Sequence, residues 1–87
     1  MPGGWTSYST RISSDAQKAF DEALKGFTGV HYTPLAVASQ VVAGMNYRFF
    51  CNAQVVYPDA PNYGALVQIN KPLVGPARLS APIKPIE

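Results

Sequence analysis

Apolar residues along this chain recur first at helical spacing and then at strand spacing. Ala16, Ala19, Phe20, Ala23, Leu24 and Phe27 follow one another at three and four residues, which predicts an amphipathic helix of about three turns. Ser14 followed by Gln17 has capping-box spacing, Asp15 suits the positive end of a helix, and Gly26 marks its stop. Lys18, Asp21, Glu22 and Lys25 form the wet face. From Val30 to Val42 the chain turns β-branched and alanine-rich, which predicts a strand, with Pro34 placed where an edge or a bulge tolerates a missing donor. Over residues 45–57 the alternation is strict: Met45, Tyr47, Phe49, Cys51, Ala53 and Val55 are assigned to the core, against Asn46, Arg48, Phe50, Asn52, Gln54 and Val56. Between these strands Gln40-Val41-Val42-Ala43-Gly44-Met45-Asn46-Tyr47 reads as a hairpin, with Val41, Val42 and Met45 offered to solvent at or beside its tip. Residues 57–64 are rich in turn formers, Ala65 to Asn70 predicts a further strand, and residues 71–79 make a second loop. Ser80 to Ile86 is a weak last strand that Pro82 and Pro85 confine to an edge. The expected class is α+β: one amphipathic helix packed on a four- to five-stranded antiparallel sheet.

Eighty-seven residues make a single domain over 1–87, and 47% hydrophobic with 14% charged residues is the composition of a globular chain. Net charge is +2, and the cations Arg11, Lys18, Lys25, Arg48, Lys71, Arg78 and Lys84 are scattered and form no stripe that could track phosphates. Nucleic acid is therefore not expected as a partner. Nowhere do eighteen consecutive apolar residues occur and no signal-like run opens the chain, so no membrane partner is expected either. Cys51 is alone and cannot form an internal disulfide, which points to packing as the source of stability and to a reducing, cytoplasmic setting. The glycines before Trp5 let the backbone swing, so residues 1–5 are expected to form a flexible amino-terminal arm.

Enzyme chemistry finds little support. Cys51 and His31 are the sole cysteine and histidine; with the turn near 43–46, Cys51 should sit across from about residue 38, leaving His31 roughly 20 Å down the ribbon. A thiol–imidazole dyad needs hydrogen-bond contact, so a buried inert thiol is expected. Asp15, Asp21, Glu22, Asp59 and Glu87 are too widely spaced to give a metal-ligand set or an acid–base pair, and Gly3-Gly4 neither follows a strand nor opens a helix. A small-ligand or isomerase-type protein of α+β shape would need a base inside the sheet, and the inward set of strand 45–57 has Tyr47 but no carboxylate. The chain is expected not to be an enzyme and to need neither cofactor nor metal.

Three apolar segments that carry glycine remain: Gly3-Gly4-Trp5, Val41 to Met45, and Leu73-Val74-Gly75-Pro76. An antiparallel sheet sends alternate connections to the same end, so the turn at 43–46 and the loop at 72–79 should lie side by side. Such an edge suits insertion into a cleft, because glycine lets backbone approach backbone and a rigid hairpin loses little entropy on docking. The residues also carry a family resemblance. Gln40-Val41-Val42-Ala43-Gly44 matches the Gln-x-Val-x-Gly signature of the cystatins, and Asn46-Tyr47 fits the intracellular cystatins, the stefins. Met1-Pro2-Gly3-Gly4 resembles the stefin amino terminus, one residue shorter, while Leu73-Val74-Gly75-Pro76 stands where stefins tend to have Leu-Pro-Gly. The resemblance implies a cystatin-like fold and a reversible, competitive inhibitor of papain-like cysteine proteases. It also implies that Gly3 and Gly4, the hairpin residues Gln40, Val41, Val42, Ala43 and Gly44, and the loop residues Leu73, Val74, Gly75 and Pro76 form a three-part wedge. The alternative is a cystatin-fold structural or interaction module without inhibitory activity. In either case the chain is expected to be a monomer able to convert to a domain-swapped dimer by straightening residues 43–46.

Overall fold

The computed structural model describes residues 4–86. Helix α1 spans Ser14–Ala23 and is capped by Ser13, not by the predicted Ser14. Ser13 holds extended backbone at φ −66° and ψ 161°, so its hydroxyl can turn back and accept the Ala16 N–H at 3.1 Å. Gln17, freed from any capping box, donates its side-chain amide to the Asp21 carboxylate at 3.0 Å. The helix stops where Gly26 takes φ +87°, and Phe27 falls beyond the stop, half exposed and outside the apolar stripe. Ala16, Ala19 and Phe20 are the residues the helix buries.

Five strands follow: β1 (Val30–Val42), β2 (Gly44–Val55), β3 (Asn62–Pro72), β4 (Arg78–Leu79) and β5 (Lys84–Ile86). All pairings are antiparallel; the order is β1-β2-β3, with β4 and β5 both on the far edge of β3. On the other edge, isolated bridges join Trp5 to Gln40 and Ser9 to Val37. Register shifts between Pro34 and Ala36, so Leu35 is left unpaired beside the proline that cannot donate; of the two settings expected for Pro34, an edge or a bulge, the strand has a bulge. Strand β3 begins earlier than predicted because Gly64, read as a turn residue, pairs with Asn52 beneath the Phe50 ring; an added Cβ would meet Phe50 Cε1 at 3.3 Å. The predicted last strand is divided: Arg78 and Leu79, assigned to a loop, pair with β3, then the chain leaves the edge around Pro82 and returns at Lys84. Ile83, inside that excursion, packs against the core.

The alternation in β2 holds. Tyr47, Phe49, Cys51 and Ala53 are buried, joined by Ala65, Val67 and Ile69 from β3 and Val37 from β1. Phe20 of the helix meets Phe49 edge-on at 4.9 Å between ring centroids, and Tyr47 lies 5.9 Å from the same ring. Burial of Phe49 removes a whole aromatic side chain from water, worth about 2–3 kcal/mol. Met45, assigned to the core by the alternation but also placed at the exposed hairpin tip, settles on the first: it turns inward and packs against this cluster. The result is α+β, one amphipathic helix on a five-stranded antiparallel sheet, an arrangement consistent with a cystatin-like fold.

Candidate functional site: the hairpin end of the sheet

The β1–β2 ribbon reverses over a single residue, since Val42 already pairs with Gly44 and Ala43 alone lies between them. Gly44 has φ +106° and pairs onward with Pro72, which places the second loop directly beside the hairpin. Contact is so close that a Cβ on Gly44 would stand 2.2 Å from the Lys71 carbonyl oxygen and 3.0 Å from Pro72 Cα. Only glycine fits on both counts, conformation and space.

A row of side-chain amides ties the same end across three strands. Asn46 donates to the Gln40 side-chain oxygen at 2.9 Å, and Asn70 donates to the Asn46 side-chain oxygen at 2.8 Å. The second loop is held from both sides: Lys71 Nζ donates to the Gly75 carbonyl, Gly75 takes φ +110°, and the Glu22 carboxylate accepts the Ala77 amide at 3.3 Å. Each arm of the site is thereby fixed by contacts within the chain.

The expected wedge residues separate into two groups. Val41 is 61% exposed, Leu73 77% and Val74 91%; Gly4, Ala43, Gly75 and Pro76 are also exposed. Val42 is half-buried, and Gln40 and Gly44 face partners within the fold, so these three form the frame and the exposed set forms the rim. Gly3 lies outside the described residues. Trp5 pairs with Gln40 in antiparallel sense, so Gly4 runs on alongside Val41 and reaches the same rim. Trp5 itself, placed in the expected arm of residues 1–5, is half-buried with the Arg48 guanidinium 4.0 Å above its ring, and Thr6 exchanges hydrogen bonds with Ser39. No residue at 41–43 or 73–76 is charged. Sequence reasoning missed Arg48, Asn70 and Lys71 as supports. Asn46 and Arg48 were visible as polar positions in the alternation, but their partners depend on register, which periodicity does not supply.

The thiol and imidazole stand differently from the expectation. The one-residue turn and the bulge set Cys51 opposite Pro34, not residue 38, and His31 opposite Gln54, three residues further along β1. They remain apart for another reason: Cys51 faces the core, fully buried, while His31 is exposed. Burial pushes the Cys51 thiol up to about 12, so it is protonated and unreactive near neutrality. Among the described residues no three His, Cys, Asp or Glu side chains converge as a metal site, and no helix is long and apolar enough to cross a membrane.

What the hairpin end offers is therefore an exposed, uncharged, apolar rim on a frame held by contacts within the chain. Compared with protein-family models, with curated proteins and with solved structures, the chain matches none of them.

Proposed function

We propose that the protein is a reversible, competitive inhibitor of papain-like cysteine proteases that inserts its hairpin end into the active-site cleft. The observation that carries this reading is the rim: Val41, Leu73 and Val74 project from two turns locked together at Gly44, with Gly4 beside them. Cystatin-like sequence at Gln40–Gly44 supports the target class. Covering three large aliphatic side chains would contribute about 5–8 kcal/mol before the costs of association, and a pre-formed frame keeps those costs low. Inhibition is by occupation alone, since the rim presents backbone and hydrocarbon and no bond is made or broken.

Steady-state inhibition of papain at several concentrations of a chromogenic peptide substrate tests it. The expected result is an apparent inhibition constant that rises linearly with substrate. No inhibition of papain or cathepsin-type enzymes at high micromolar concentration would overturn it. That outcome would promote a second reading, an interaction module without inhibitory activity, which one observation favours: Gly44 and Gln40, two of the three fixed residues of the signature, are both accounted for by contacts inside the fold.

A further inference from the structure

The sheet has a second face, turned away from the helix, and it is chemically unlike the first. Phe50 lies there between Ala36 on β1 and Leu66 on β3, and Ile86 on β5 stands opposite Gly64, where the missing side chain leaves room. With Tyr8 from the amino-terminal segment these residues line an open groove of about 330 Å³ whose walls are almost wholly apolar. Tyr8, Phe50 and Ile86 are all exposed. An apolar groove across the middle of a sheet face has no part in the core and none in the rim.

Among the described residues charge is segregated around it. Lys84 is set opposite Leu66, Arg48 lies two residues from Phe50 on the same face of β2, and Arg78 is set opposite Asn70. The described carboxylates are elsewhere: Asp15, Asp21 and Glu22 on the helix, and Asp59 in the loop between β2 and β3. Among the described residues Lys84 and Arg78 pair with no carboxylate. We propose that this face docks an acidic peptide segment that seats one large apolar side chain between Tyr8, Phe50, Leu66 and Ile86. The cations steer and orient the segment, and the groove supplies the anchor. Arg48 is already engaged on Trp5, which leaves Lys84 and Arg78 as the described cations of this face without a carboxylate, too few to track a phosphate backbone. Phe50 lies six residues along β2 from Gly44, roughly 20 Å, so this surface stands independently of the rim and both can be occupied at once.

The probe is a fluorescein-labelled nonapeptide with a central phenylalanine flanked on each side by four glutamates, read by fluorescence anisotropy against the full chain. Binding is expected to weaken about fivefold or more on Lys84→Glu and to fall with added salt. Tyr8→Ser should weaken it by a similar factor, as should alanine in place of the peptide's phenylalanine. Both protein substitutions are at exposed positions, and circular dichroism melts confirm that the variants fold. The proposal is overturned if the glutamate peptide binds no better than its serine counterpart, or if Lys84→Glu leaves binding unchanged. Loss of binding on Val74→Glu in place of Lys84→Glu would assign the peptide to the rim. Tighter binding of a twelve-nucleotide oligothymidylate than of the peptide would make the face a nucleic-acid surface.

Discussion

Both ends of the sheet expose hydrocarbon, and they do so in opposite shapes. At the hairpin end Val41, Leu73 and Val74 project from two turns joined through Gly44, and nothing overhangs them. At the other end Val56 and Tyr57 are comparably exposed, but they border a hollow of about 490 Å³ lined by His31, Gln54, Val55 and Pro58. There the β2–β3 loop folds back on itself: Gln54 donates to the Ala60 carbonyl at 2.8 Å, Ala60 is buried, and Val56 bonds to Gly29 at 2.9 Å. Exposure alone thus does not mark a docking end. A convex rim can enter another protein's cleft, whereas a concave end can only receive, and the difference arises from a glycine that lets two turns touch.

The largest expected effect breaks that contrast directly. Val74→Glu combined with Leu73→Glu should weaken papain inhibition by about a hundredfold or more, because two carboxylates would have to be desolvated in the cleft. Val56→Glu combined with Tyr57→Glu, an equal insult at the far end, should leave the inhibition constant unchanged. Equal losses at both ends, or none at the rim, would mean that shape does not select the contact.

Gly44→Ala sharpens the comparison by attacking the joint instead of the surface. A methyl group there meets the Lys71 carbonyl in a backbone conformation that disfavours side chains, and the cost should be roughly 2–4 kcal/mol. For a chain of this size the melting temperature should drop by more than about 10 °C, and inhibition should fall with it. A normal melting temperature with lost inhibition would instead place Gly44 against the protease.

A swapped dimer would remove the hairpin end and spare the far end. Val41 and Val42 remain in extended strand, and among described non-glycine residues only Asp59 has positive φ, so the turn stores less strain than β-branched residues within it would have imposed. The chain should therefore stay monomeric until partly unfolded, then form a dimer without inhibitory activity. Size-exclusion chromatography with light scattering, before and after heating, reads this; a heated sample that stays monomeric, or a dimer that inhibits fully, would show that Ala43–Gly44 is not the hinge.

These regions also differ in how far the residues announced them. The helix, β1 and the inward face of β2 were legible because burial imposes a period, and Val30–Val42 emerged with the expected bounds. The adjacency of the two turns was legible too, since antiparallel order alone dictates it. Illegible were the features set by register: Cys51 opposite Pro34, and Gly64 drawn into β3 beneath Phe50. The one-residue turn sets the β1–β2 pairs and the bulge shifts those from Pro34 to Val30, and neither leaves a mark in the alternation. Ser13 rather than Ser14 capped the helix because two adjacent serines have equal chemistry, and only backbone conformation separates them.

The smallest expected effect comes from the core that both ends share. Cys51 is fully buried beside Phe49, and desolvation raises its thiol from 9.0 to about 12. In the unfolded chain the thiol ionises near its ordinary value, so above that pH the unfolded state binds fewer protons than the native state and stability falls as pH rises. Stability measured by urea unfolding should be independent of this group below about pH 9 and should decline from there toward 12. Tyr32 and Tyr47, raised first by burial and then by Tyr63 and Asp15 respectively, add to the decline at higher pH, because their ordinary value is 10.0. Cys51→Ala should cost about 1 kcal/mol at neutral pH through the space it leaves, and should delay the onset of the alkaline decline until the tyrosines begin to ionise. A decline that begins below pH 8, or one that the alanine variant reproduces in full, would assign it to a different group.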